Sequence, residues 1–150
     1  MSAPVQYPLT VFYDASCPMC ASEMHAIKTL DRDGRIVLVD CSASGFDDSA
    51  LAEGGYCRVD AMTLIHARDA DGRWLIGIDV FQAAYRAAGL ATIARFWGSR
   101  RLRPLLERIY PWVARHRQRL SGLGLNHLVR LVMAGAIFRA SASASRPRRP

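Results

Sequence analysis

A chain of 150 residues, 51% of them apolar, suits one folded domain with a real core and room for an appended segment. No run of eighteen apolar residues exists, which excludes a membrane-spanning helix of ordinary kind. The net charge of +7 divides unevenly: residues 1–94 carry 7 Lys/Arg against 12 Asp/Glu, while residues 95–150 carry 13 Arg against Glu107 alone. An acidic front with a basic back fits two arrangements. One is a solvated basic helix packed on an acidic domain. The other is a surface for an acidic partner, an anionic membrane or a nucleic acid. Met1–Pro8 has neither a basic stretch nor an apolar core of a secretory leader, so the expected compartment is the reducing cytoplasm.

In chain order, Leu9–Tyr13 reads as a buried strand, and Pro18 to about Leu30 as a helix ended by Asp31-Arg32-Asp33-Gly34. Between them stands Cys17-Pro18-Met19-Cys20. A strand that empties into Cys-x-x-Cys at a helix start is the layout of a dithiol redox site. Residues three apart on a first turn share a face, so two sulfurs can reach disulfide distance. The free N–H groups of the helix start favour a thiolate at Cys17. Pro18 suits the first helical position because it has no N–H to lose. The competing reading is half of a zinc site. Cys41 and Cys57 do not form a second knuckle, and His25 lies five residues beyond Cys20, so the spacing favours redox chemistry over metal.

Ile36–Val39 reads as a second buried strand, followed by a short helix around Asp47–Glu53. Met62–Ala67 reads as a third strand, Asp69-Ala70-Asp71-Gly72 as a turn, and Arg73–Ile76 as a fourth strand. Asp79 is expected to cap a helix running to Ala88, with Gly89 as its stop. The crossover from the first strand to the second implies a parallel pair. The expected fold is therefore α/β: a thioredoxin-like mixed sheet with flanking helices. Beyond it lies a basic helical extension. Thr92–Trp97 forms a short helix and Arg101–Leu120 a longer one. Leu102, Leu105, Leu106, Ile109, Trp112 and Val113 make its apolar face, and Pro111 is expected to kink it. Asn126–Arg139 could form a last helix, and Ser141–Pro150 has a disordered composition. The domains so read are residues 1–90, 91–140 and 141–150.

Asp14, Cys17 and Cys20 in the frame Asp-x-x-Cys-x-x-Cys resemble the signature of the DCC family of thiol-disulfide oxidoreductases. Asp71-Gly72-Arg73 and Gly77–Phe81 resemble that family's hairpin and following helix. Arg103-Pro104-Leu105, Tyr110 and Ala114–Arg117 resemble its basic C-terminal helix. The likeness covers about residues 9–120. Ala15 stands where members often have Gly, and no proline occurs in Asp60–Thr63, where thioredoxins usually carry a cis-proline facing the dithiol. The resemblance implies disulfide exchange without a cofactor or metal, on a protein or small-molecule disulfide or dithiol.

In that chemistry Cys17 is the expected attacking thiol, facing solvent, and Cys20 the resolving thiol, covered by the helix. Asp14 is harder to place. An ionised carboxylate at roughly 8 Å from Cys17, at an effective dielectric of ~20, would oppose the thiolate by about 2 kcal/mol. That cancels what a helix start supplies, at most ~2 kcal/mol. Asp14 is therefore either buried and protonated, shuttling a proton to or from Cys20, or turned away as a loop anchor. His25, Cys41, Cys57, Trp74, Trp97 and Trp112 read as packing or surface residues. The alternatives to an enzyme are a redox-sensing binding module using its basic C-terminal surface and a structural metal-binding domain. For that basic surface, weak contact with an anionic membrane is favoured over nucleic acid, since Leu128–Phe138 is too short to span and no aromatic-basic alternation occurs.

Overall fold

Side chains alternate along β1 (Leu9–Tyr13), and this alternation builds the molecule on both sides of one sheet. The computed structural model describes residues 4–122 and positions 131 and 135. Apart from those two positions, the expected helix at 126–139, its apolar segment and the tail at 141–150 lie outside the described residues. After β1 come α1 (Pro18–Leu30), β2 (Ile36–Asp40), α2 (Ser49–Ala52), α3 (Arg58–Thr63), β3 (His66–Arg68), β4 (Trp74–Ile76), α4 (Ile78–Ala87), α5 (Ala91–Trp97) and α6 (Arg103–Gly122). The sheet order is β2-β1-β3-β4. β1 and β2 are parallel, from Leu9 opposite Ile36 to Tyr13 opposite Asp40. β3 and β4 follow antiparallel. This is the mixed α/β sheet of a thioredoxin-like fold.

Leu9, Val11 and Tyr13 face a core shared with Met24 and Ile27 of α1, Val80 and Ala84 of α4, and Ala94 of α5. Phe12 faces the other way, into a smaller core with Cys41, Leu51 and Ala61, where Trp74 stacks on it with ring centroids 5.6 Å apart. Helices thus cover both faces, and α5 shares the larger core. Asp31 ends α1 and starts β2: its carboxylate accepts the N–H groups of Arg35 and Ile36 at 2.8 and 2.9 Å. Buried Asp69 sets the hairpin, accepting from Asp71 and Arg73, while Gly72 takes φ +83° in the turn.

Three expectations are corrected. Met62–Ala67 is not one strand. Cys57 and Asp60 form a capping box, with Cys57 N–H donating to Asp60 at 2.9 Å, so the chain runs as α3 to Thr63 and only His66–Arg68 is strand. The cap of α4 is Gly77 at φ +60°, and Asp79 lies in the first turn instead. A Cβ at Gly77 would stand 3.2 Å from the Tyr110 ring, so this glycine lets α6 approach closely.

The third correction concerns the apolar face expected of α6, a helix that contains Pro111. Leu105, Ile109 and Trp112 point outward, 46–55% exposed, and Trp112 stacks on His116. The inward face is set by Arg103, Tyr110 and Arg117, seven residues apart, which is two helical turns. Arg103 grips Asp79 with both guanidinium arms, at 2.9 and 3.0 Å. The Tyr110 hydroxyl accepts the Ile65 N–H at 3.3 Å. Polar anchors, rather than an apolar stripe, seat this helix.

Candidate active site

The turn that carries the dithiol is tied by two aspartates at neighbouring strand ends. Asp14 follows β1, and its Oδ1 accepts the backbone N–H of Ser16 at 3.0 Å and the Ser16 hydroxyl at 2.5 Å. Asp40, opposite Tyr13 in the register, treats Ser42 in the same way, at 2.8 and 2.6 Å. Its Oδ1 also accepts the Ala15 N–H at 3.1 Å, so β2 holds the turn from below. Asp-x-Ser is a local signal for such side-chain turns. The Cys17 N–H closes the turn on the Asp14 carbonyl at 3.4 Å.

Cys17 then caps α1 in an extended conformation, its carbonyl accepting the Ala21 N–H at 2.9 Å, with Pro18 in the first helical turn. Its thiol is pulled down from 9.0 to about 6. The largest cause is the hydrogen bond from the Cys20 thiol. The backbone N–H groups of Cys20 and Met19 and the Arg117 charge add to it, against the cost of burial. Cys20 is driven strongly upward: it gives its hydrogen bond to Cys17, is largely desolvated, and faces the Cys17 charge. The two shifts are opposite halves of one contact, in which Cys20 donates and Cys17 accepts, and both cysteines are free.

Exposure reverses the expectation. Cys17 has no accessible surface, whereas Cys20 is partly exposed. α6 packs on α1 beside this turn. Arg117 of α6 donates to Asp14 Oδ2 at 2.7 Å and to the Met62 carbonyl at the end of α3. Both Asp14 oxygens are therefore taken, in the manner of a loop anchor. The carboxylate that threatened the thiolate is paired with a cation whose own charge favours it. Met62 lies in the stretch where thioredoxins usually carry their cis-proline.

Cys20 opens instead into a cavity of about 260 Å³ between α1, α4, α5 and α6. Its lining is mostly hydrocarbon, from Met19, Met24, Phe81, Trp97 and Val113, with Asp14, Glu23, Tyr110 and Arg117 as polar groups. Glu23 receives the Tyr85 hydroxyl proton at 2.6 Å, and burial raises its carboxyl above the ordinary 4.5. A larger, more open cleft of about 580 Å³ lies near Tyr7, Arg73, Asp79 and Arg86, and no cysteine lines it.

Asp14, Cys17 and Cys20 lie together at the turn into α1, through the Cys17 N–H on the Asp14 carbonyl and the contact between the two thiols. His25 is exposed and hydrogen-bonds the Tyr13 hydroxyl at 3.1 Å. Cys41 is buried in the smaller core, its thiol raised to about 11 by burial, and Cys57 is exposed as the cap of α3. Among the described residues no three His, Cys, Asp or Glu side chains gather as a metal ligand set, and no helix is long and apolar enough to cross a membrane. Sequence reasoning missed Arg117, Glu23 and Tyr85. The seven-residue spacing of Arg103, Tyr110 and Arg117 was the available signal for the first.

Paired cysteines at a helix start, beside the end of a parallel-paired strand, define a thioredoxin-like domain with its dithiol frame in the usual place. The family model for DCC1-like thiol-disulfide oxidoreductase matches residues 11–123, and the chain belongs to that family. It is similar to an uncharacterised chloroplastic protein of Arabidopsis thaliana, 26% identical over 120 residues, which cover 79% of this chain and 55% of that protein. The chain thus spans about half the length of that curated relative. No solved structure matches it.

Proposed function

We propose that the chain is a thiol-disulfide exchange enzyme working through Cys17 and Cys20. The observation that carries this reading is the placement of the pair: Cys17 caps α1 where the Met19 and Cys20 N–H groups reach its sulfur, and the Cys20 thiol donates a hydrogen bond to it, which favours a thiolate at Cys17. The Cys17 thiolate attacks one sulfur of a substrate disulfide, forms a mixed disulfide and expels the other sulfur as a thiolate. Cys20 loses its proton and attacks Cys17, which forms the Cys17–Cys20 disulfide and releases the second substrate sulfur. Two electrons pass from the dithiol to the substrate. Asp14 holds the turn that presents Cys17. Because Cys17 is fully covered, the substrate sulfur reaches it only after a local opening of the fold.

The substrate side is read from the cavity beside Cys20. Its hydrocarbon lining favours a disulfide flanked by an apolar group over one set among charges. Reduction of a small aromatic disulfide by the full chain tests the reading, with Cys57→Ser as background because Cys57 is exposed. Cys17→Ser is expected to lose exchange altogether. Cys20→Ser is expected to stop at one substrate group bound through Cys17, detected by mass. Full exchange by Cys17→Ser would overturn the assignment.

A further inference from the structure

The second step of exchange needs a place for the Cys20 proton, and the groups around it narrow the choice. Asp14 has both oxygens committed to Ser16 and Arg117. Glu23 lies one turn beyond Cys20 on α1, three residues on and therefore on the same face. Both line the same cavity. Its carboxyl is fixed from α4 by Tyr85, whose hydroxyl donates to Oε1 at 2.6 Å. An acid in an apolar cavity, oriented by a phenol and next along the helix from a thiol that must be deprotonated, has the placement of a base.

Resting on the dithiol reading above, we infer that Glu23 accepts the Cys20 proton during resolution and that Tyr85 positions its carboxylate. The mixed disulfide forms first on Cys17. The Cys20 S–H bond then breaks, its proton passes to the Glu23 carboxylate, and the Cys20 sulfur attacks Cys17. The S–S bond to the substrate breaks, and the departing thiolate takes the proton back from Glu23. Protons and electrons balance without another reactant. The titratable groups facing this site are Tyr13 and Asp14 of the β1 edge, Cys17 on α1, Tyr85 on α4, and Tyr110 and Arg117 on α6. Burial raises the Glu23 carboxyl, and the Tyr85 hydroxyl, by stabilising the charged form, pulls against that. The base is active only when ionised, so resolution speeds up as pH rises through its titration.

The test uses the reduced full chain in the Cys57→Ser background with an aromatic disulfide that releases a coloured thiolate. The first equivalent reports attack by Cys17 and the second reports resolution by Cys20. Glu23→Gln keeps an acceptor for the Tyr85 hydroxyl but cannot take a proton. It is expected to slow the second phase about 10²-fold and abolish its acidic limb. Tyr85→Phe is expected to move that limb to higher pH, since the charged carboxylate loses a donor. A second phase with wild-type rate and pH profile in Glu23→Gln, or an unmoved limb in Tyr85→Phe if Glu23→Gln does not fold, overturns the assignment. Absence of any Cys20-dependent second phase in the parent protein would instead sink the dithiol reading.

Discussion

Arg117→Met is expected to destabilise the protein by about 3–5 kcal/mol, far more than loss of an ordinary surface ion pair. The Asp14 side chain is 1% exposed and that of Arg117 11%. Removing the guanidinium strands a buried carboxylate that cannot recover its water, and frees the Met62 carbonyl as well. Arg35–Asp33, with side chains 46% and 62% exposed, marks the contrast and belongs to the class worth ~0–1 kcal/mol. Asp14→Asn should cost less, because it leaves a partly exposed cation and keeps an oxygen for Ser16. The double variant should cost less than the two single losses together, since neither charge is then stranded. Urea unfolding of the four proteins measures this. A loss under about 1 kcal/mol for Arg117→Met would place the pair with surface pairs such as Arg35–Asp33. The same variant should raise the Cys17 titration midpoint, because the Arg117 charge helps hold it down.

The reduced protein should gain stability over the oxidised protein as pH rises from about 6 to 9. Cys17 titrates near 6 when folded and near its ordinary 9.0 when unfolded. Its contribution is fully present above 9 and is lost as pH falls through the window to about 6. Cys20 carries the opposite sign. Its folded thiol is raised, so its contribution is complete below 9 and is lost above it, as the unfolded chain ionises and the folded one does not. The difference between the two redox forms should therefore climb to about pH 9 and then decline. The disulfide itself has no titrating thiol, so the oxidised protein supplies the baseline. Unfolding of both forms against pH measures the curve. Stabilising the reduced form also makes the disulfide a stronger oxidant near neutral pH. A pH-independent difference between the redox forms would mean that the thiolate has no stabilising partner in the fold.

How much could be read in advance depended on how local each feature is. Leu9–Tyr13, the Cys17–Cys20 frame and Ile36–Val39 follow from short-range pattern, and the helical crossover between the strands then implies the parallel pair. Met62–Ala67 misled because a short, mostly apolar stretch looks the same whether it ends a helix or forms a strand. The deciding signal was the Cys57/Asp60 box, in which cysteine stands where serine or threonine is usual. The covered state of Cys17 was illegible for another reason. The packing around it is distant in sequence: the Arg117–Asp14 pair beside it spans 103 residues, and the seven-residue spacing of Arg103, Tyr110 and Arg117 is the signal that marks that arginine. The apolar pattern of α6 pointed the wrong way, because this helix is seated by two ion pairs and a tyrosine while Leu105, Ile109 and Trp112 face outward. The Asp14 energy argument survives in altered form. A lone carboxylate there would oppose the thiolate, and the fold supplies a cation to match it.

The most direct measurement of the central claim is the rate of alkylation against pH for Cys17 and Cys20, each observed in the variant carrying serine at the other position. A serine at position 20 keeps an O–H to donate to Cys17, so the low titration survives the substitution. Cys17 is expected to react with a midpoint near 6, and Cys20 to stay unreactive until well above neutrality. The account is contradicted if Cys20 is the faster thiol at neutral pH, or if Cys17 titrates at its ordinary 9.0.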